Sequence, residues 1–201
     1  TACTTIPLDK DCGFIPFIPA LSQLLQANDL LFFCNPNNPT GAVLTRQQLE
    51  PLVEKAATVG AHIVIDESFT DFRLTSEAES CRTLIARYSS VMVLHSLTKF
   101  LAVPGLRLGF LLARPDLVKR MKCLRDPWNV NVLAQIAGVT GLSDSEYRLA
   151  TVTLIDQEKE KMRRGLQAIP GIRVFPPAVN FVLADLGESG WNSEKLQEAL
   201  M

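Results

Sequence analysis

Residues that could do chemistry together stand close in one stretch, "HSLTKFLAVPGLRLGF" over 95–110: hydroxyls at Ser96 and Thr98, an amine at Lys99 and a guanidinium at Arg107. An amine that sheds its proton readily attacks carbonyl carbon, and desolvation or nearby positive charge, such as Arg107 would supply, promotes that. Hydroxyls and a guanidinium beside it can hold an anion. Upstream, Asp66 and Glu67 end the apolar run "AHIVID", and Asn35 and Asn38 lie in "NPNNPTG" just after "DLLFFC".

Short apolar runs deliver these groups. "DLLFFC" (29–34), "AHIVID" (61–66) and "VMVLHS" (91–96) read as buried strands, and "LRLGFLLA" as a fourth. Between the first two, "TRQQLEPLVEKAATVG" reads as a helix, with Thr45 and Gln48 in capping-box spacing and Gly60 to close it. A less regular segment over 74–89 leads to the third run, and a helix begun by Pro115 follows the fourth. This alternation predicts an α/β fold whose sheet is mostly parallel, with helices on both faces. In such sheets the C-terminal strand ends share one edge, where ligands bind. Three consecutive strands then aim Asn35 and Asn38, Asp66 and Glu67, and Ser96, Thr98 and Lys99 at one crevice.

From about residue 130 the pattern turns helical, through "VNVLAQIAGVTGL" and a long run from Asp144 to about Ala168, and "IRVF" and "NFVLADL" read as two further strands. Residues 1–150 are expected to form a large domain, and 151–201 a linker helix and the start of a smaller α+β domain. The chain begins "TACTTIP" and stops where an amphipathic pattern has only begun, so a piece of a longer protein is expected.

Composition narrows the function classes. The 201 residues are 47% hydrophobic and 20% charged with net charge -1, which suits a globular domain and gives no electrostatic reason to expect nucleic acid. Basic clusters such as "KRMKCLR" read as solvated helix faces. The five cysteines form no CxxC pair, which argues for reduced thiols in a cytoplasmic protein over a disulfide framework or a zinc site. No apolar run approaches the roughly 18 residues a membrane helix needs, so no membrane partner is expected. There is no GxGxxG, GxxxxGK[ST] or GxSxG, and His62 and His95 read as structural, although His95 lies close enough to line the pocket.

Taken singly, a lysine after a strand is a solvated loop residue, an aspartate there is a cap, and "NPNNPTG" is a turn. Together they match one cofactor. Lysine imines anchor pyridoxal 5'-phosphate, whose ring nitrogen needs a carboxylate such as Asp66 and whose phosphate needs donors such as Ser96, Thr98 and Arg107.

The succession "NPNNPTG", "IVIDESF" and "SLTKFLAVPGLRLGF" resembles the fold type I pyridoxal-phosphate enzymes, the aspartate aminotransferase superfamily. The likeness runs from about residue 28 to 185. It is strongest toward the branch of histidinol-phosphate aminotransferase and L-threonine-O-3-phosphate decarboxylase, and "SLTKF", "PGLRLG" and "DPWNVNVLAQIAG" look most like the decarboxylase. The resemblance implies that Lys99 anchors the cofactor and, once freed, moves protons at the substrate carbon. It implies that Asp66 pairs with the pyridine nitrogen, that Asn38 donates to the phenolate oxygen, and that Ser96 and Arg107 bind the phosphate with Thr98 nearby. Where many aminotransferases carry a tyrosine donor, this chain has Phe69, as the decarboxylase branch does.

The family's glycine-rich phosphate loop would lie upstream of residue 1 and its carboxylate-gripping arginine downstream of residue 201. An amino-acid or phosphorylated amino substrate, a homodimeric full-length parent and a role in cobalamin biosynthesis are what the resemblance implies. A non-catalytic fragment that folds without cofactor, with an exposed sheet edge and poor solubility, is the reading from another class.

Overall fold

A computed structural model describes residues 2–75 and 80–201. Of the less regular segment 74–89, residues 76–79 lie outside the described residues. The chain opens with α1 (Ile18–Leu24), β1 (Leu30–Cys34), α2 (Arg46–Val59), β2 (His62–Asp66) and β3 (Val91–Ser96). There follow α3 (Leu97–Phe100), β4 (Gly109–Leu112), α4 (Pro115–Lys122), α5 (Val132–Ser143) and α6 (Ser145–Gln167), and then β5 (Arg173–Val174), β6 (Ala184–Asp185) and α7 (Ser193–Leu200).

β1, β2, β3 and β4 pair in that order; the first three are parallel and β4 is antiparallel. The reversal follows from the connection. Residues 97–108, between β3 and β4, hold only the one-turn α3 and a 3-10 turn, not the full crossover helix that a parallel return usually uses. β4 also passes close to its neighbour: a Cβ on Gly109 would lie 2.8 Å from the His95 carbonyl oxygen, so only glycine fits there.

α2 begins as expected, with the Thr45 hydroxyl accepting from the Gln48 amide while the Gln48 side chain accepts from the Thr45 amide, and Gly60 in the left-handed region ends it. Its apolar positions Leu49, Leu52, Val53 and Ala56 repeat at helical spacing and are buried. They pack with Ile63, Ile65, Val91 and Val93 of β2 and β3, and each large side chain buried there contributes roughly 2 kcal/mol.

A second cluster joins Phe72, Phe100 and Val152 of α6 to Val179 from the C-terminal segment. β5 and β6 pair antiparallel over two residues each, shorter than the runs "IRVF" and "NFVLADL" suggest. The expected boundary at residue 151 falls inside α6. No described helix is long and apolar enough to cross a membrane.

Candidate active site

Each strand end spends its polar groups differently. After β1, Asn35 is buried and turned inward: its Nδ2 donates to the Leu44 carbonyl oxygen and its Oδ1 accepts from the Leu44 amide, both at 2.8 Å. This two-way clamp closes the proline-rich loop, with Gly41 N donating to Asn37 O at 2.8 Å and Thr40 Oγ1 to Asn37 Oδ1 at 2.8 Å. Asn38 is left exposed on that loop. Asn35 therefore serves the scaffold, and Asn38 is the asparagine available to a ligand.

β2 ends in two carboxylates with opposite fates. Asp66 is half-buried and pairs in register with Cys34 and Leu94. Its Oδ1 accepts from the Ser68 amide at 2.9 Å, and its Oδ2 takes no hydrogen bond among the described residues. Glu67, one residue on, is 2% exposed and accepts from Ser80 Oγ and the Cys81 amide, both at 2.6 Å. Burial raises the Glu67 carboxyl above its ordinary range, against the lowering effect of the two donors and of His95. Burial and the Glu67 carboxylate together push the Cys81 thiol up to about 12, so it stays protonated and inert. Burial, with Asp66 beside it, likewise raises the Cys34 thiol.

Beyond β3 the expected cluster assembles. Lys99 Nζ donates to Ser96 Oγ at 3.2 Å, and Ser96 Oγ lies 2.8 Å from Thr98 Oγ1. Thr98 is buried and Lys99 exposed. Ser96 stands two residues past Leu94, which pairs with Asp66, so by strand alternation Asp66 and Ser96 share a face of the sheet. Phe69 lies under the lysine, its ring centroid 5.4 Å from Nζ. Arg107 is exposed, sits in the left-handed region at φ 56°, and donates from Nη1 to the Pro104 carbonyl oxygen at 3.0 Å, so the structure does not join it to the Ser96–Lys99 group.

His95 is stacked on Phe110, and its Nε2 lies 3.4 Å from Asp71 Oδ2, while Asp71 Oδ1 accepts from Arg148 at 3.1 Å. This pairing ties β3 to α6 and supports the structural reading of His95. Glu67, expected at the crevice beside Asp66, is instead buried against Ser80 and Cys81, while nothing in the local spacing of Asp71 or Phe181 distinguishes them from ordinary loop and strand residues.

The donor set fits pyridoxal 5'-phosphate. An amine is present for its aldehyde, a carboxylate with an unengaged oxygen for its basic ring nitrogen, and hydroxyls for its phosphate, all at the C-terminal ends of adjacent parallel strands.

Comparison with known proteins agrees. The model of the family described as aminotransferase class I and II matches residues 3–201. The chain is 36% identical to the threonine-phosphate decarboxylase of Salmonella typhimurium, over 81% of the chain and 44% of that protein. It is 35% identical to the histidinol-phosphate aminotransferase of Roseiflexus castenholzii, over 80% of the chain and 41% of that protein. The crystal structure of the histidinol-phosphate aminotransferase from Clostridium acetobutylicum superposes with a TM-score of 0.80 at 31% identity, covering 86% of this chain and 51% of that one. The chain thus spans about half the length of the relatives it matches.

Proposed function

The chain belongs to the class I and II aminotransferase family, whose cofactor is pyridoxal 5'-phosphate, and we propose that it acts on a phosphorylated amino acid as a threonine-phosphate decarboxylase. The observation that carries the choice of reaction is Phe69. The ring facing the Lys99 amine has no hydroxyl to offer, the feature in which the sequence resembles the decarboxylase branch. The 36% identity to the Salmonella typhimurium decarboxylase supports the same reading. The 35% identity to a histidinol-phosphate aminotransferase favours amino transfer as the second reading.

When bound, pyridoxal phosphate supplies an electron-withdrawing ring conjugated to the substrate bond that breaks. Lys99 Nζ is the proposed covalent anchor and, once freed, the proton carrier at the substrate carbon, with Ser96 Oγ as its hydrogen-bond partner at rest. The Asp66 carboxylate holds the ring nitrogen protonated, a compensated charge where a half-buried carboxylate alone would be costly. Ser96, with Thr98 behind it, and Arg107 after it turns away from Pro104, bind the phosphate. Asn38 donates to the phenolate oxygen.

The test is to supply the full-length protein that contains this chain with pyridoxal phosphate and measure carbon dioxide release from O-phosphothreonine beside amino transfer from histidinol phosphate to a 2-oxo acid. Carbon dioxide release without amino transfer is the expected result. Amino transfer alone establishes the second reading, and neither activity from the full-length protein, holding the cofactor, rejects both.

A further inference from the structure

We propose that Phe181 is a positioning residue for Lys99: it fixes the ring of Phe69, on whose face the lysine amine rests. The inference rests on the reading of Lys99 as the cofactor's anchor.

Lys99 ends a flexible four-carbon stem on an exposed side chain, and two groups locate its amine. One is Ser96 Oγ at 3.2 Å, which also bonds Thr98 and which a bound phosphate would recruit. The other is the Phe69 ring, whose centroid 5.4 Å from Nζ lies inside the roughly 6 Å range of cation–π attraction. Once Ser96 is given over to an anion, the orientation of the amine depends on the orientation of that ring.

Two aromatic neighbours set the Phe69 ring. Phe72, at 6.4 Å and 29°, belongs to the 3-10 turn that follows directly on Phe69, so the two move together. Phe181 is different, because it reaches Phe69 from the C-terminal segment and meets it edge to face, at 5.1 Å and 90°. That segment is itself well anchored. Val179 is fully buried beside Phe72 and Phe100, and the backbone at Ala178 lies against the asparagine loop, its amide 3.6 Å from where a Cβ on Gly41 would stand. The C-terminal segment, held by these contacts, thus sets the Phe69 ring, and the ring places the amine.

The first readout needs no cofactor. Reductive methylation with ¹³C-formaldehyde converts lysines to dimethyl-lysines that keep their charge, and Lys99→Arg identifies the Lys99 signal. In the parent chain the Phe69 ring shifts that signal away from those of the other lysines, and Phe69→Leu abolishes the shift. Phe181→Leu and Phe181→Met keep apolar volume without a ring and are expected to lose most of the shift, while Phe181→Tyr retains it. Capture of pyridoxal phosphate by the two ringless variants should slow about threefold, the factor carried by one exposed cation–π contact. A folded ringless variant with the parent's Lys99 signal overturns the proposal. So does loss of the folded circular-dichroism signal in both, which would make Phe181 merely structural. If the shifts behave as stated but Lys99 never captures the cofactor, the anchor reading fails while the positioning of Lys99 stands.

Discussion

On one face of the four-stranded sheet, Ile63, Ile65, Val91 and Val93 lie in register beneath α2 and are almost wholly excluded from water. On the other face the same strands carry Val64 and Met92, then Asp66, Leu94 and Ser96, and β1 leaves Leu30 and Phe32 53% and 67% exposed. One residue separates the two functions, because alternate side chains of a strand point to opposite faces. Asp66 and Glu67 make the contrast sharpest. Neighbours in sequence, one keeps a carboxylate oxygen unengaged at the ligand edge, and the other is walled in by Ser80 and Cys81. The packed face carries the stability, and the open end of the other carries the residues proposed for the chemistry.

Mutations on the packed face should cost stability and leave the site's chemistry intact while the chain stays folded. Leu52→Ala, at 1% exposure, should lower the unfolding free energy by about 3 kcal/mol, read as a drop in the urea midpoint, with cofactor uptake unchanged below that midpoint. The reverse pattern is expected at the open edge. Ser96→Ala removes a proposed donor to a charged phosphate, so cofactor affinity should weaken by about 2 kcal/mol, read in a binding titration, while the urea midpoint barely moves.

Glu67 supplies the smallest effect and the finest test. With its carboxyl raised in the folded state, the folded chain binds more protons than the unfolded chain between the ordinary glutamate pKa and the raised one. Stability from this group therefore falls as pH rises through that window, by at most about 1.4 kcal/mol per pH unit. Glu67→Gln should flatten that part of the stability profile, and an unchanged slope would remove Glu67 from the account.

Much of this was legible in the sequence. Continuous apolar runs bounded by turn residues identify β1, β2 and β3 to within a residue, and the capping-box pair locates the start of α2. The grouping of Ser96, Thr98 and Lys99 follows, since it depends on a strand ending and a short helix beginning. What pairing decides was hidden. The resemblance singles out Asn38, but by residue type alone Asn35 and Asn38 are alike, and the clamp of Asn35 onto the distant Leu44 backbone is set by tertiary structure. The resemblance singles out Asp66 over Glu67, but the burial of Glu67 has no local signal, because it depends on Ser80 and Cys81 arriving from another segment. β5 and β6 fall short of their apolar runs because strand length is set by the partner, and each has one two-residue partner. Phe181 has no local signal, because its contact with Phe69 is purely tertiary.

Lys99 is the lysine proposed to take up the cofactor. Incubation with pyridoxal 5'-phosphate, borohydride reduction and peptide mapping test it directly. A visible absorption band on binding and a reduced pyridoxyl group on the peptide that contains Lys99 are expected, with neither in Lys99→Ala. A reduced group spread over the exposed surface lysines, with Lys99 unmodified, would contradict it.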